Sequence, residues 1–537
     1  MKKFFSLLPL LIILLNFSGQ CQNGELPLKS TNSILFGKDI IINNDPTQNQ
    51  QKVAICSAFN GWLYSAIGYT VTDGSILIMV LKSTDDGITW SVMFSGGAAP
   101  PNFILESLNI IAIEDSPNIK LFISYVVYNS QTGPGQGTVV CYNGVTGDFE
   151  YQLFTDPSIY DLAISGDFMF PATSSNPNSV GVLYSKYANS GDSIIFQSSS
   201  NGGVLLDNRK VVAVTGHHFN TVVLTYGRST SWNSGRYFAA WEERGTVTAP
   251  LGHIFSAHSE PNFNSSFTIP VKLDSIDGSA LNNARYPSIA CQYSNFDNDN
   301  SNFTEVVLFD KYISSQNRYD ISGLYNKQAT SSNNFTPFTL NLSTDSRQQP
   351  SVNFNPYDSS FMVTYYDSTT NKLPFLRKNF NMNDPNSWEA ISAGYNDSPS
   401  LVAPYPRVAL SLSQEKGACV WSSLGLAGKG VALFDSPYST YTGVSQIHQN
   451  DIAILYGAYP NPANATTSIR FELKKTTTFR ISLHSNDGRE IGMIKEESYS
   501  VGLNQVKIDV SGYPAGAYYY SLDSKDFSLR GKIIVTK

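Results

Sequence analysis

Cysteine is scarce in this chain, with five in 537 residues. Cys21 ends an N-terminal apolar segment, and Cys56, Cys141, Cys291 and Cys419 lie far apart in apolar runs such as Val139-Val140-Cys141-Tyr142. Without a CxxC pair or a Cys/His cluster, neither a zinc site nor a disulfide framework organises the fold, and the four later thiols read as buried apolar fillers. Charge is thin as well: 15% of residues carry one, where a typical soluble protein has about 25%. No stretch beyond residue 21 stays apolar for the roughly 20 residues that a membrane-crossing helix requires. Catalytic signatures are missing too, with no GxSxG elbow, no HExxH helix and no GxxxxGKS/T phosphate loop. Gly133-Pro134-Gly135-Gln136-Gly137 has Pro where a phosphate cradle needs N–H groups, and reads as a hairpin loop. The adjacent His217 and His218 point to opposite faces of an extended strand and do not share a metal. Asp297-Asn298-Asp299-Asn300 lacks the Gly and the later Glu of a calcium loop. No cofactor, no metal and no catalytic residue is assigned.

What is present begins with Lys2 and Lys3, an apolar run from Phe4 to Leu15, and then Ser18-Gly19-Gln20-Cys21. The pattern predicts a secretory signal peptide over residues 1–21 and a mature chain without a transmembrane segment. Lipidation of Cys21 is the alternative, although Gln20 is a poor fit to the small residue that such signals carry. From Ile454 to Lys537 eleven Lys/Arg stand against eight Asp/Glu, a net of +3; this leaves −10 for the rest, and −12 once the leader's two lysines are gone. So acidic a body repels phosphates, which excludes nucleic acid and anionic membranes as partners.

The C-terminal segment carries the most specific pattern. Tyr459-Pro460-Asn461-Pro462-Ala463 opens it, followed by the alternating strand Thr467 to Leu473 and by Phe479-Arg480-Ile481-Ser482-Leu483. Asn486-Asp487-Gly488-Arg489-Glu490 is a hairpin signal, because primed turns need φ > 0 at residues such as Asn, Asp and Gly. Gly502 to Val510, Pro514-Ala515-Gly516-Ala517-Tyr518-Tyr519-Tyr520 and Gly531-Lys532-Ile533-Ile534-Val535-Thr536-Lys537 complete the pattern. Period-2 alternation over about seven short strands predicts a small Ig-like β-sandwich. Order, spacing and position together resemble the C-terminal sorting domain of the type IX secretion system. That resemblance implies export across the inner membrane, recognition by outer-membrane secretion machinery, and a protein secreted or attached to the outer surface of a Gram-negative cell. The alternative is an ordinary Ig-like accessory domain.

Ahead of it, Lys82-Ser83-Thr84-Asp85-Asp86-Gly87-Ile88-Thr89-Trp90 sits between two strands, and Ser198 to Gly203 is a weaker echo with Asn201 for Asp. Ser83, Asp85, Gly87 and Trp90 match the Asp-box of sialidase-like propellers. There Asp accepts backbone N–H groups across a tight hairpin, Gly takes a positive φ and Trp packs into the blade. The body divides into units of about 45 to 65 residues, the spacing of four-stranded blades. Inner strands are expected near Val53, Leu108, Tyr160, Thr221, Tyr286, Pro350 and Val408, which makes an all-β chain with a seven-bladed β-propeller. Six or eight blades are the neighbouring counts, and a pair of stacked sandwiches is the alternative fold. Three units open alike, at Arg285-Tyr286-Pro287, Gln348-Gln349-Pro350 and Pro404-Tyr405-Pro406, with Pro placed where a paired N–H is not required. The early strand Lys38 to Asn43 is expected to complete the last blade and remove a sheet edge. The expected division is propeller 33–445, linker 446–456 and sorting domain 457–537.

The resemblance to sialidases makes a glycoside hydrolase the enzymatic alternative. Arg285, Arg347 and Arg407 precede inner strands, and Glu242 or Glu243 could supply a carboxylate. The family's first-blade arginine has no counterpart, since no Arg precedes Arg209. The preferred reading is therefore a non-enzymatic propeller that binds an extracellular glycan or protein, with Arg285, Arg347, Arg407, Tyr405 and Glu242 as ligand-binding candidates. A structural adhesion component is the third reading.

Overall fold

The computed structural model describes residues 34–536 except for 44–48, 130–133, 168–178, 228–234, 245–251, 260–265, 277–282, 293–303, 328–333, 341–344, 356–359, 379–387, 397–404, 412–415, 425–429, 440–452 and shorter interruptions of one to three residues. The expected signal peptide, His217, the acidic run 297–300 and the 446–452 part of the expected linker lie outside the described residues. Those described form strands, turns and the 3-10 turn Ser314–Gln316. The fold is all-β, a β-propeller followed by a β-sandwich.

The first propeller sheet is a meander of Asn49–Ser57, Leu63–Thr70, Ile76–Ser83 and Ser91–Ala99. Four-stranded sheets of the same form start from His218–Gly227, Ala284–Cys291 and Arg347–Asn355. Between them runs a seven-stranded sheet from Phe103–Asp115 to Asn208–Val214, which turns on the 18-residue strand Phe149–Gly166. That strand pairs with Gly135–Asn143 through its first half and with Val180–Lys186 through its second, and its register shifts between Asp156 and Ile159. Pro157 sits in the shift. Lacking an N–H it cannot serve a ladder, so one long strand ends one four-strand unit and begins the next. Gly135 to Gly137, expected in a hairpin loop, belong to the paired strand Gly135–Asn143.

The last propeller sheet takes its fourth strand from the other end of the chain. Ile40–Asn43 pairs antiparallel with Gly430–Asp435, with Ile40 opposite Phe434 and Ile41 opposite Leu433. Ile34–Phe36 pairs in turn with Pro437–Ser439. Ile42, Val53, Leu63, Val420 and Phe434 share a buried cluster that joins this sheet to the first, so the ring closes through apolar packing as well as hydrogen bonds. Trp241 and Trp421, on second strands, are fully buried between sheets. Cys56, Cys141, Cys291 and Cys419 are all free thiols, and burial raises Cys141 to about 12.

In the turn after Ile76–Ser83, the Asp85 carboxylate accepts the Ser83 hydroxyl at 2.8 Å, the Thr89 N–H at 2.9 Å and the Thr89 hydroxyl at 2.6 Å. Gly87 donates its N–H to Ser83 Oγ at 2.8 Å with φ of 87°, and Trp90 Nε1 donates to the Gly87 carbonyl at 2.9 Å. The weaker sequence copy has the same build. Asn201 Oδ1 accepts the N–H groups of Val204 and Leu205, each at 3.1 Å, and Gly203 N–H reaches Ser199 Oγ at 3.0 Å.

The C-terminal unit stacks Ala453–Tyr459, Thr466–Leu473 and Gly502–Asp509 on Thr477–His484, Glu490–Tyr499, Gly516–Asp523 and Ser528–Val535. Alternate residues such as Ile469, Phe471, Ile481, Leu483 and Leu522 fill its core, as period-2 strands require.

Candidate functional site

A cavity of about 230 Å³ lies where the inner strands of the propeller converge. Lys52, Ser107, Asp161, Thr221, Ser288, Ser351 and Arg407 all line it. Each stands directly before an aliphatic residue of its inner strand: Val53, Leu108, Leu162, Val222, Ile289, Val352 and Val408. The side-chain period of two sends the two residues to opposite faces of the strand, and every one of these aliphatic residues except Leu162 also lines the cavity.

Three of these polar groups hold the ring together. Asp161 Oδ2 accepts the Val222 N–H at 2.8 Å, Ser288 Oγ the Val352 N–H at 3.0 Å, and Ser351 Oγ the Val408 N–H at 3.0 Å. In each case an inner strand caps the free edge of the next, where no ladder partner exists. Just outside this ring, Tyr286, Gln349 and Tyr405 have φ of 53°, 56° and 44°, and each precedes a proline. Non-glycine residues in this region cost on the order of 1–3 kcal/mol and persist where the surroundings fix them. Here buried side chains from the preceding sheet fix them: Glu242 Oε2 accepts Tyr286 N–H at 3.3 Å, Asp310 Oδ1 accepts Gln349 N–H at 2.7 Å, and Gln349 Oε1 accepts Tyr405 N–H at 3.0 Å. Pro287 and Pro350 fall inside register shifts of their strands, so neither leaves a gap in a ladder.

The charges on the wall are arranged asymmetrically. Burial raises the Asp161 carboxyl to about 7, and Glu106 adds to the rise against the opposing hydrogen bonds from Val222, Ser107 and Leu162. Burial lowers the pKa of Lys52, Arg407 lowers it further, and Glu106 and Asp161 oppose. Arg407 is lowered by burial too. Lys52 Nζ lies 4.4 Å from the centre of the Tyr405 ring, and Arg407 Nη1 donates to the Pro406 carbonyl at 3.1 Å.

Of the candidates read from sequence, Arg407 and Tyr405 line the cavity and the others do not. Arg285 pairs with Asp310 at 3.3 Å, donates to Gln348 at 3.0 Å and lies 3.7 Å from the Tyr319 ring centre. Arg347 pairs with Asp320 at 2.7 Å. Glu242, 1% exposed, accepts from Arg244 at 2.5 Å and from the Tyr286 N–H, behind the wall. Its pKa is raised by burial against those partners. The three arginines thus have separate partners. Lys52, Glu106 and Asp161 also line the cavity; the sequence signal for Lys52 and Asp161 is the position they share with Arg407, directly before an aliphatic residue of an inner strand. Among the described residues no group of three His, Cys, Asp or Glu side chains could hold a metal ion, and no helix is long and apolar enough to cross a membrane.

Residues 457–536 match the secretion system C-terminal sorting domain. A domain of this kind marks a protein that is secreted or attached to the outer surface and engages the secretion machinery. No curated protein matches the chain. Among solved structures, a protein of unknown function from Dyadobacter fermentans is similar at 11% identity over 75% of this chain and 99% of that one, with a TM-score of 0.41. The Dos1 propeller is similar at 9% identity over 76% and 97%, with a TM-score of 0.37. The six-bladed, fucose-recognising lectin of Aleuria aurantia is similar at 14% identity over 65% and 98%, with a TM-score of 0.32.

Proposed function

We propose that this chain is exported by its sorting domain and binds an extracellular ligand, a glycan in preference to a protein, in the axial cavity of a seven-bladed propeller. The count divides the long sheet at Pro157, and the division is propeller 33–445, linker 446–456 and sorting domain 457–537. In the same reading the Ser83 to Trp90 turn is an Asp-box that serves folding. The observation that carries the proposal is the cavity wall. All seven inner strands bring a polar side chain to it, and Tyr286 and Tyr405 add aromatic surface, the mixture that orients and stacks a sugar. A purely structural component has no need of such a wall. A glycan array probed with the full chain tests the reading. Binding that falls about tenfold in a folded Tyr286→Ala variant supports it, and binding to no glycan overturns it.

One observation favours the glycoside hydrolase alternative: two carboxyls, Glu106 and Asp161, line the cavity, and Asp161 has the raised pKa of an acid catalyst. Against it, both Asp161 oxygens already accept backbone N–H groups, from Leu162 and Val222, each at 2.8 Å. No turnover of fluorogenic aryl glycosides or sialosides is expected. Turnover abolished by Glu106→Gln would promote the hydrolase.

A further inference from the structure

Five of the seven polar positions around the cavity, Ser107, Asp161, Thr221, Ser288 and Ser351, carry side-chain oxygen, and three of them are seen to accept the next strand's N–H. Lys52 and Arg407 hold the two remaining positions, and neither side chain has any acceptor to offer. They are neighbours in the ring, contributed by the first and last propeller sheets, and Lys52 lies over the ring of Tyr405, two residues before Arg407. Elsewhere on the inner strands each cation has side-chain oxygen partners: Arg285 has Asp310 and Gln348, and Arg347 has Asp320. Among the described residues no carboxylate lies within ion-pair distance of Lys52 or Arg407; their partners are a π-face and a carbonyl. Two partly buried like charges side by side carry a desolvation penalty and mutual repulsion that a counter-anion removes. They stand, moreover, in a body whose net charge is strongly negative, and Glu106 and Asp161 on the same wall act on Lys52 from beyond ion-pair distance, so the two cations are offset only in part.

We propose that the axial cavity takes the oxyanion of an acidic sugar, a carboxylate or a sulfate, between Lys52 and Arg407, with Tyr405 flanking it. The proposal rests on the glycan reading of the cavity. Arg407 supplies a planar fork for two oxygens, and Lys52 a point charge that approaches from the adjacent strand. Glu106 on the same wall repels a second anionic group and can accept a sugar hydroxyl, which favours one acid group per bound sugar. At about 230 Å³ the space is below the roughly 300–1,000 Å³ of a drug-sized pocket, so it suits a single terminal ring.

Titration calorimetry of the full chain with glucuronate, glucose 6-sulfate and glucose tests this. At least one of the two acidic sugars is expected to bind about tenfold or more tighter than glucose, and which of them does so identifies the oxyanion. Lys52→Gln and Arg407→Gln are each expected to weaken acidic-sugar binding about tenfold and so to remove most of that preference. Thermal melts separate a ligand role from a structural one, because deleting an unmatched buried cation should leave the melting temperature equal or higher. Equal affinity for all three sugars, binding of no sugar, or acidic-sugar binding unaffected by both variants would overturn the proposal. A neutral glycan whose binding is lost in Tyr286→Ala and untouched in Lys52→Gln would overturn it while leaving the broader glycan reading in place; binding of no glycan of any kind would overturn both.

Discussion

Phe434 lies so close over Gly87 that a β-carbon on the glycine would stand 2.1 Å from its ring, and Trp90 meets the same ring edge-on with centroids 5.1 Å apart. Gly87 belongs to the first propeller sheet and Phe434 to the last, so this contact sits on the seam that closes the ring. Gly203 repeats the relationship in the third unit, where a β-carbon would stand 2.4 Å from Phe122 of the second. The polar turn and the aromatic ring beneath it are thus one device, used twice to fasten a sheet to its predecessor.

Gly87→Ala should therefore be severe. The added methyl overpacks the seam, and alanine at φ of 87° is strained in any surroundings; together these should destabilise the propeller by at least about 2 kcal/mol. Denaturant midpoints of the full chain check the value. A midpoint equal to wild type would show that Phe434 moves aside freely and that the seam is not closed by this contact.

Asp85→Ala tests the hydrogen-bonded half of the device. Its carboxylate accepts from Ser83 and from the N–H and hydroxyl of Thr89, and losing them should cost about 1–3 kcal/mol. Asp85 does not line the cavity, so sugar binding by the folded fraction should be unchanged. A variant with a normal melt, or with normal stability and weakened binding, would contradict the assignment of this turn to folding.

Burial raises Asp161 to about 7, and Asp310 and Glu305 to about 8. In the unfolded chain these groups titrate near 4. Between about pH 4 and 8 the folded protein thus holds more protons than the unfolded one, and its stability falls as the pH rises through that window. Glu305 is the cleanest probe, because it lies away from the cavity with the Ser256 hydroxyl donating to it at 2.8 Å. The melting temperature should drop between pH 5 and pH 8.5, and Glu305→Gln should flatten the drop. An identical slope in wild type and variant would remove Glu305 from the account.

Much of this architecture is legible in the sequence because it repeats. The Pro-containing openings at Pro287, Pro350 and Pro406 locate three inner strands, and the pairing of Ile40–Asn43 with Gly430–Asp435 follows from a unit with one strand too few. The sandwich is legible from alternation alone. The cavity wall is harder to read, since each strand contributes one polar residue and nothing in a single strand distinguishes Lys52 from a surface lysine. Arginine is the natural carboxylate partner, which points to Arg285 and Arg347 in the sequence; their partners, Asp310 and Asp320, come from neighbouring strands that only the fold brings alongside. The left-handed backbone at Tyr286, Gln349 and Tyr405 was hidden for a similar reason: it is imposed by buried acceptors on the preceding sheet and has no glycine to announce it.

The last prediction concerns the two ends of the sorting domain. Ala463, at the end of the opening YPNPA motif, donates its N–H to the Ile534 carbonyl at 2.8 Å and accepts the Thr536 N–H at 2.9 Å, in a parallel bridge to Val535. Ile533 and Val535 are buried in the same core, and Gly531 lies under Tyr520, where a β-carbon would stand 2.2 Å from the ring. Deleting residues 531–537 therefore removes most of an edge strand, two core side chains and the clasp on the opening motif, which is enough to unfold a sandwich of this size. The propeller has its own closed ring and core and should keep its melt. Cell fractionation is expected to find the shortened chain in the periplasm, with little at the surface or in the medium. Normal surface or medium levels of a chain lacking these residues would mean that export does not depend on the folded sorting domain.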